Sequence, residues 1–369
     1  MRLVFLGFGT VGQGLAELLL EKKKELKKRY GLEWTVVGIA DTLKGNACAP
    51  KGLDLAKALA LAKKGEKLDA LDKCGCGWDA LAFAKKAECD VILEATYTDI
   101  KTGEPATSHI RSALKRGVHV ITSNKGPLAL HFKELSRLAA KSGAQFLYEG
   151  TVMSGTPVLN LIRGPLAGAD VLEIKGILNG TTNFILTQME GGLSYEVALK
   201  KAQDLGFAEA VPDADVLGWD ALAKVTIMAN VVFGAPLKPA DSPCEGITKI
   251  TSEDIAKAKA EGKRYKLIGR VWREGGTVRA SVSPQLVELS HPLAGVMGAT
   301  NAMAIRTDAL GEVTIIGPGA GRKETGFAML SDLVRVARHL PKASPKPKAK
   351  KPTAKKPKAK AKVAKRSKK

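Results

Sequence analysis

Hydrophobic positions in the first third of the chain fall into short apolar runs separated by longer segments of helical period. Arg2–Leu6 is apolar and ends at Gly7, which predicts a first strand. Val11, Leu15, Leu18 and Leu19 then recur at helical spacing, predicting a helix from about Thr10 to Tyr30. Strands are expected at Trp34–Ala40, Asp90–Ala95, Val118–Thr122 and Gln145–Tyr148. Helices are expected at Asp54–Lys64, Thr107–Arg116 and Phe132–Ser142. Short apolar strands alternating with helices imply a parallel, doubly wound sheet covered on both faces.

The pattern changes after residue 150. Leu172–Leu178 reads as a strand, and Tyr195–Leu205 and Asp215–Val232 as helices. Leu267–Arg273 and Thr277–Ser283 alternate apolar and polar residues around Glu274-Gly275-Gly276, the signature of an antiparallel hairpin. Val313–Ile316, a glycine-rich segment and a helix near Thr325–His339 follow. The fold class expected is α/β: a Rossmann-type nucleotide-binding domain over residues 1–130, joined to an α+β substrate and dimerisation domain over 131–310. Residues 311–340 would return to complete the first domain, and 341–369 would form a disordered basic tail.

Charge sharpens this division. The net charge is +21, and residues 342–369 supply fourteen of those positive charges with no acid. Basicity therefore belongs mainly to a Lys/Pro/Ala tail that lacks the apolar residues needed to offset ordering entropy. Such a tail can bind nucleic acid or acidic partners without sequence preference. No apolar run approaches the roughly 20 residues that span a bilayer, and no cleavable signal pattern precedes the first strand. A cytoplasmic protein is expected. Five irregularly spaced cysteines, Cys48, Cys74, Cys76, Cys89 and Cys244, then read as free thiols.

Candidate chemistry lies at four places. Gly7-Phe8-Gly9-Thr10-Val11-Gly12 fits G-x-G-x-x-G between a strand and a helix, where backbone N–H groups can approach a pyrophosphate. Asp41, ending the second predicted strand, is placed to accept hydrogen bonds from the ribose of NAD, whereas Lys44 would favour the extra phosphate of NADP. Lys125 follows the predicted strand Val118–Thr122, at the sheet edge where ligands bind, and can move a proton during hydride transfer. Asp220 and Lys224 share one helix face, with Glu209, Asp213 and Asp215 just upstream. That acidic group reads either as a surface ion pair and helix cap or as a pocket for an amino acid.

Four segments together resemble homoserine dehydrogenase across residues 2–338: the Gly7–Gly12 loop, Ile121–Ala129, Gly176–Leu186 and Gly206–Lys224. The resemblance implies interconversion of L-aspartate 4-semialdehyde and L-homoserine with NAD or NADP. It implies Lys125, Lys224 and Asp220 as catalytic residues, with Lys125 the first choice for proton transfer. It implies Glu209, Thr181 and Asp215 at the substrate. Gly7, Gly9, Thr10, Val11, Gly12, Asp41, Thr96, Lys125, Gly319 and Gly321 would meet the cofactor. Glu149, Val152, Ser154 and Thr156 would hold a structural monovalent cation, sodium or potassium. A homodimer through the second domain is implied, and no regulatory domain of the ACT type is expected. A dehydrogenase of another small amino acid, with the tail adding nucleic-acid binding, is the alternative.

Overall fold

The computed structural model describes residues 1–75 and 77–339, so the expectation for a tail at 341–369 lies outside the described residues. Two sheets organise the chain. The first contains β1 (Arg2–Leu6), β2 (Thr35–Asp41), β3 (Gly45–Cys48), β4 (Val91–Glu94), β5 (His119–Thr122) and β6 (Phe146–Leu147), in spatial order β3-β2-β1-β4-β5-β6. All neighbours are parallel except β3, which pairs antiparallel with β2 at the edge. Leu3, Val4, Phe5 and Leu6 are all buried, as are Val91, Ile92 and Leu93. Strands buried on both sides require helices on both faces, and this is the doubly wound arrangement.

The second sheet is antiparallel. It comprises β7 (Val171–Ile177), β8 (Lys263–Glu274), β9 (Thr277–Glu288), β10 (Thr300–Thr307) and β11 (Gly311–Pro318), in order β11-β10-β7-β8-β9. Gly275 and Gly276 both take positive φ in the two-residue turn between β8 and β9. That conformation matches the twist of paired strands and strongly favours glycine there. Helices Gly180–Glu190 and Trp219–Val231 pack on this sheet. One continuous apolar core joins the sheets through Leu128 and Ala129 on one side and Val225, Met228 and Ala229 on the other.

Several sequence boundaries move. The first domain does not stop at residue 130, because helix Phe132–Ser142 packs beside helix Ala106–Lys115 and β6 completes the first sheet. Residues 311–318 form a strand of the second sheet, so the return to the first domain begins at helix Arg322–His339. The long first helix breaks at Lys22 into Thr10–Glu21 and Lys23–Tyr30. The helix expected from Asp215 is interrupted at Gly218, whose φ is +87°. The five-thiol expectation is also corrected. Folding brings Cys48 on β3 and Cys74 to a Cα separation of 5.5 Å, within a disulfide, while Cys89 and Cys244 are free. Cys76 lies outside the described residues.

Candidate active site

Strand order reverses between β1 and β4, and the loops leaving those strands open a crevice at their carboxyl ends. A cavity of about 680 Å³ occupies it, bounded on the far side by the second domain. Its first wall is the glycine loop. Gly7 has a φ of +87°, and a Cβ there would land on the Ala95 carbonyl; a Cβ on Gly12 would land on the Gly7 carbonyl. A Cβ on Gly9 would meet nothing, so open space remains beside the backbone. Helix Thr10–Glu21 starts there without a side-chain cap, and Thr10 and Val11 line the cavity. Uncapped N–H groups beside open space suit a pyrophosphate. The segment Pro318–Gly321 lines the opposite side. Among the described residues, then, the cradle fits a dinucleotide.

Asp41 ends β2 as expected, yet its carboxylate already ties the loop together. One oxygen accepts the Phe8 N–H at 2.7 Å, and the other accepts those of Leu43 (3.0 Å) and Lys44 (2.8 Å). Thr96 reaches the cavity from the end of β4, where its N–H donates to the fully buried Glu94 at 3.1 Å. Glu94 also receives the Thr122 hydroxyl at 2.8 Å and so couples the ends of β4 and β5.

The second wall carries charge. Lys125 is the first residue of helix Lys125–Leu130, capped by Asn124, whose side-chain amide also donates to the Tyr97 carbonyl at 3.0 Å. Asp220 and Lys224 lie one turn apart on helix Trp219–Val231. The Lys125 ammonium sits 3.1 Å from one Asp220 oxygen, and that of Lys224 2.7 Å from the other. Lys224 also donates to the Leu178 carbonyl. Asn179 holds the acids in place, donating to Asp215 at 2.6 Å and to Asp220 at 2.9 Å. The group thus balances two ammoniums against two carboxylates.

The electrostatics follow from that balance. Asp220 holds Lys125 above the usual lysine range, against the opposing effect of burial. Burial outweighs the same carboxylate at Lys224 and pulls that group down. Burial alone would raise Asp220, but the two lysines overcome it and keep the carboxyl ionised far below its usual range. Asp215 moves up, chiefly through burial and then through the charge of Asp220. Lys125 retains 31 % side-chain exposure against 7 % for Lys224, so Lys125 presents the more accessible ammonium.

Of the residues singled out from sequence, Thr10, Val11, Thr96, Lys125, Ser154, Thr181, Asp215, Asp220, Lys224, Gly319 and Gly321 line this one cavity. Glu209 does not: it is exposed, and its carbonyl accepts from Gln203. The loop before it is held by Thr181, whose hydroxyl donates to the Phe207 carbonyl at 2.6 Å, leaving Glu209 outside the cavity wall. Glu209 thus stands apart from the other two expected substrate residues, Thr181 and Asp215, which line the cavity. Asn179 was missed, although the Asn-Gly-Thr start of a helix is a capping pattern and its side chain accepts from Thr182.

Glu149, Val152, Ser154 and Thr156 lie on one buried loop. Glu149 accepts the Leu159 and Asn160 N–H groups at 3.0 and 2.6 Å, and Met153 and Ser154 take positive φ. Burial, then the neighbouring Asp332 carboxyl, pushes Glu149 up to about 8. Asp332 in turn accepts the Glu149 N–H at 2.9 Å and the Asn160 side-chain amide at 3.2 Å, so N–H donors engage both carboxyl groups.

A nucleotide cradle joined through one cavity to paired lysines is built for dinucleotide-dependent oxidoreduction of a small polar molecule. Residues 7–149 match the family model for the homoserine dehydrogenase NAD-binding domain, and residues 157–334 match that for homoserine dehydrogenase. The NAD(+)-dependent homoserine dehydrogenase of Pseudomonas canavaninivorans is 46% identical over 339 residues, covering 91% of this chain and 96% of that protein. The crystal structure of a homoserine dehydrogenase from Thiobacillus denitrificans superposes with a TM-score of 0.79 at 33% identity, covering 92% of this chain and 73% of that one. A hyperthermophilic archaeal homoserine dehydrogenase in complex with NADPH does so with a TM-score of 0.77 at 30% identity, covering 92% and 98%. This chain belongs to the homoserine dehydrogenase family. That membership sets aside the alternative of a dehydrogenase for another amino acid.

Proposed function

We propose that this chain interconverts L-homoserine and L-aspartate 4-semialdehyde, with Lys125 moving the proton. The observation that carries the reading is the Lys125–Asp220–Lys224 cluster facing the same cavity as the glycine cradle. When bound, the dinucleotide supplies the acceptor and donor of hydride. As the aldehyde is reduced, the Lys125 ammonium gives a proton from Nζ to the developing alkoxide; in the oxidising direction Nζ first releases that proton to solvent and then takes the hydroxyl proton. It suits this role because it reaches the cavity and is tethered by a single carboxylate oxygen. Lys224, sealed against Leu178, holds Asp220 in position and adds positive charge where the alkoxide forms. Asp215 and Thr181 bind the substrate's polar end, with Asn179 fixing the direction of Asp215.

NAD is the preferred cofactor in this reading, supported by the acid at the end of β2. The Pseudomonas relative is named NAD(+)-dependent while the archaeal one is in complex with NADPH, so the preference for NAD rests on Asp41. Gly7, Gly9 and Gly12 give the pyrophosphate its approach, and Gly319 and Gly321 close over it. Glu149 and the main-chain oxygens of Val152, Ser154 and Thr156 would hold a monovalent cation that balances buried charge and takes no part in the chemistry. A homodimer through the second sheet is supported by exposed Leu286 on β9 and Ile316 on β11. The reading places the enzyme in cytoplasmic amino-acid biosynthesis. No helix among the described residues is long and apolar enough to cross a membrane.

The test is oxidation of L-homoserine by the purified protein, read as reduced nicotinamide, with NAD and NADP in parallel. Homoserine-dependent reduction, faster with NAD, is expected. A folded protein that reduces neither cofactor would overturn the reading.

A further inference from the structure

Glu94 ends β4 at the carboxyl edge of the first sheet, just before the loop that carries Thr96 into the cleft. It is fully buried, and no Lys or Arg pairs with it among the described residues. The His109 ring stands nearby, its Nδ1 3.8 Å away and without a hydrogen-bond partner among the described residues. Three donors point at the carboxyl group instead. The Thr96 N–H, at 3.1 Å, and the Thr96 hydroxyl meet one oxygen, and the Thr122 hydroxyl meets the other at 2.8 Å. A carboxyl group that only accepts is in its ionised form. Burying that charge without a cation is costly. A neutral side chain would bridge two strand ends at less cost, so the charge calls for a further reason.

That reason lies in what the carboxylate ties together. The Thr122 hydroxyl, which donates to Glu94, accepts the Asn124 N–H at 3.0 Å. Asn124 caps the helix whose first residue is Lys125. Its side-chain amide reaches back to the Thr96 carbonyl at 3.3 Å. A closed circuit therefore runs from Glu94 through Thr122, Asn124 and Thr96 to Glu94 again. The Ser123 N–H adds a bond to the Glu94 carbonyl at 3.3 Å. Thr96, Ser123 and Lys125 line the catalytic cavity, whereas Glu94 does not, so Glu94 reaches the chemistry only through them.

We propose that Glu94 is a positioning residue for the reaction: through Thr122 and Asn124 it sets where the Lys125 helix begins, and so where Nζ meets Asp220 and the substrate. The proposal rests on Lys125 moving the proton. Displacing a reacting group by about 1 Å can cost about 100-fold in rate. The charged groups facing Lys125 are Asp220 and Lys224 on helix Trp219–Val231 and Asp215 upstream of it. Asp220 is the main influence holding the Lys125 ammonium above the usual lysine range, so a shift of Lys125 away from it lowers that value.

The test is steady-state oxidation of L-homoserine across the alkaline range, with NADH affinity read separately from nicotinamide fluorescence. Glu94→Gln sets a second donor against the Thr122 hydroxyl, and Thr122→Val removes that hydroxyl at nearly constant volume. Each should lower kcat by about tenfold or more while NADH affinity stays within about threefold. Thr122→Ser keeps the hydroxyl and should stay within about threefold of wild type in kcat. Oxidation needs the neutral Lys125 amine, so its alkaline rise should move to lower pH in Glu94→Gln and Thr122→Val but not in Thr122→Ser. Thr122→Val keeps the test decisive if Glu94→Gln fails to fold. Unchanged turnover in either folded variant would overturn the proposal. So would a fall in turnover with the alkaline rise unmoved, which is what a merely structural role produces. Lys125→Ala separates the two readings. If it is nearly inactive while Glu94→Gln and Thr122→Val turn over normally, the positioning role alone fails. Near-normal turnover in Lys125→Ala would remove proton transfer by Lys125 and the positioning role with it.

Discussion

Two buried lysines of the second domain, Lys224 and Lys266, show what separates a catalytic ammonium from a structural one. They are 6 % and 1 % exposed, and burial lowers the pKa of each, that of Lys266 to about 8. Their surroundings differ. Lys224 binds a carboxylate that it shares with a second lysine, at the wall of the cleft. Lys266, in the middle of β8, donates to neutral acceptors: Asn183 Oδ1 at 3.0 Å, the Val296 carbonyl and the Met297 sulfur. Asn183 in turn grips the carbonyls of Val296, Gly298 and Thr300. Burial of a lysine thus carries no function by itself; a shared carboxylate facing open space does.

The sharpest break of this comparison is catalytic. Lys125→Ala should lower homoserine turnover about 100- to 10,000-fold with little change in cofactor affinity. Lys266→Met should stay within about tenfold of wild type by the same steady-state assay, since no proton transfer is lost. Near-normal turnover in Lys125→Ala would remove that residue from the chemistry.

Next in size is Asp220→Asn. It leaves the buried Lys224 ammonium and the partly exposed one of Lys125 facing a neutral amide, and removing one partner of a buried pair costs about 3–5 kcal/mol. A large drop in denaturant midpoint is expected, together with loss of turnover.

The third test uses pH. The folded pKa of Lys266 lies near 8, below its ordinary value of 10.5. Between those values the unfolded chain binds a proton that the folded chain has released, so this group makes stability rise with pH. The gain amounts to roughly 1–3 kcal/mol, complete above the unfolded value. Unfolding curves of wild type and Lys266→Met across that window should therefore diverge, with the rise absent from the variant. Parallel curves would show that Lys266 is not held in a proton-repelling site.

The smallest effect concerns the clamp around Asn183. The Thr187 hydroxyl donates to the Asn183 carbonyl at 2.7 Å and accepts the Gly298 N–H at 3.0 Å. Thr187→Val should cost about 1 kcal/mol in equilibrium unfolding while leaving turnover intact.

Periodicity made the alternation of β1, β2, β4 and β5 with helices readable, because each strand is a short apolar run bounded by polar residues. It did not reveal β3, where Gly45-Asn46-Ala47-Cys48 carries little strand propensity and is fixed by pairing with β2 and by Asp69 and Asp72. Nor did it reveal helix Gly180–Glu190, which is buried nearly all round and so shows little amphipathic contrast. At the site, Lys125 and the Asp220–Lys224 pair were legible because a strand end and an i, i+4 spacing are local patterns. Asn179 and the exposed position of Glu209 were not, since both depend on how a loop closes over a distant helix.

Helix Arg322–His339 comes back from the second sheet to lie against the first helix of the chain. Arg322 bonds Gln13 and Glu17 at 3.2 and 3.0 Å, and Gly326 packs so closely on Gly14 and Leu15 that a Cβ would strike their backbone. During synthesis the amino-terminal sheet therefore emerges long before the element that covers its first helix. Domains commonly fold in order of synthesis. Here the first nucleotide-binding segment to be made must wait for nearly the last described residues, and contacts spanning some three hundred positions are slow to form. The backbone around Gly14 and Leu15, against which Gly326 packs, stays uncovered in the interval.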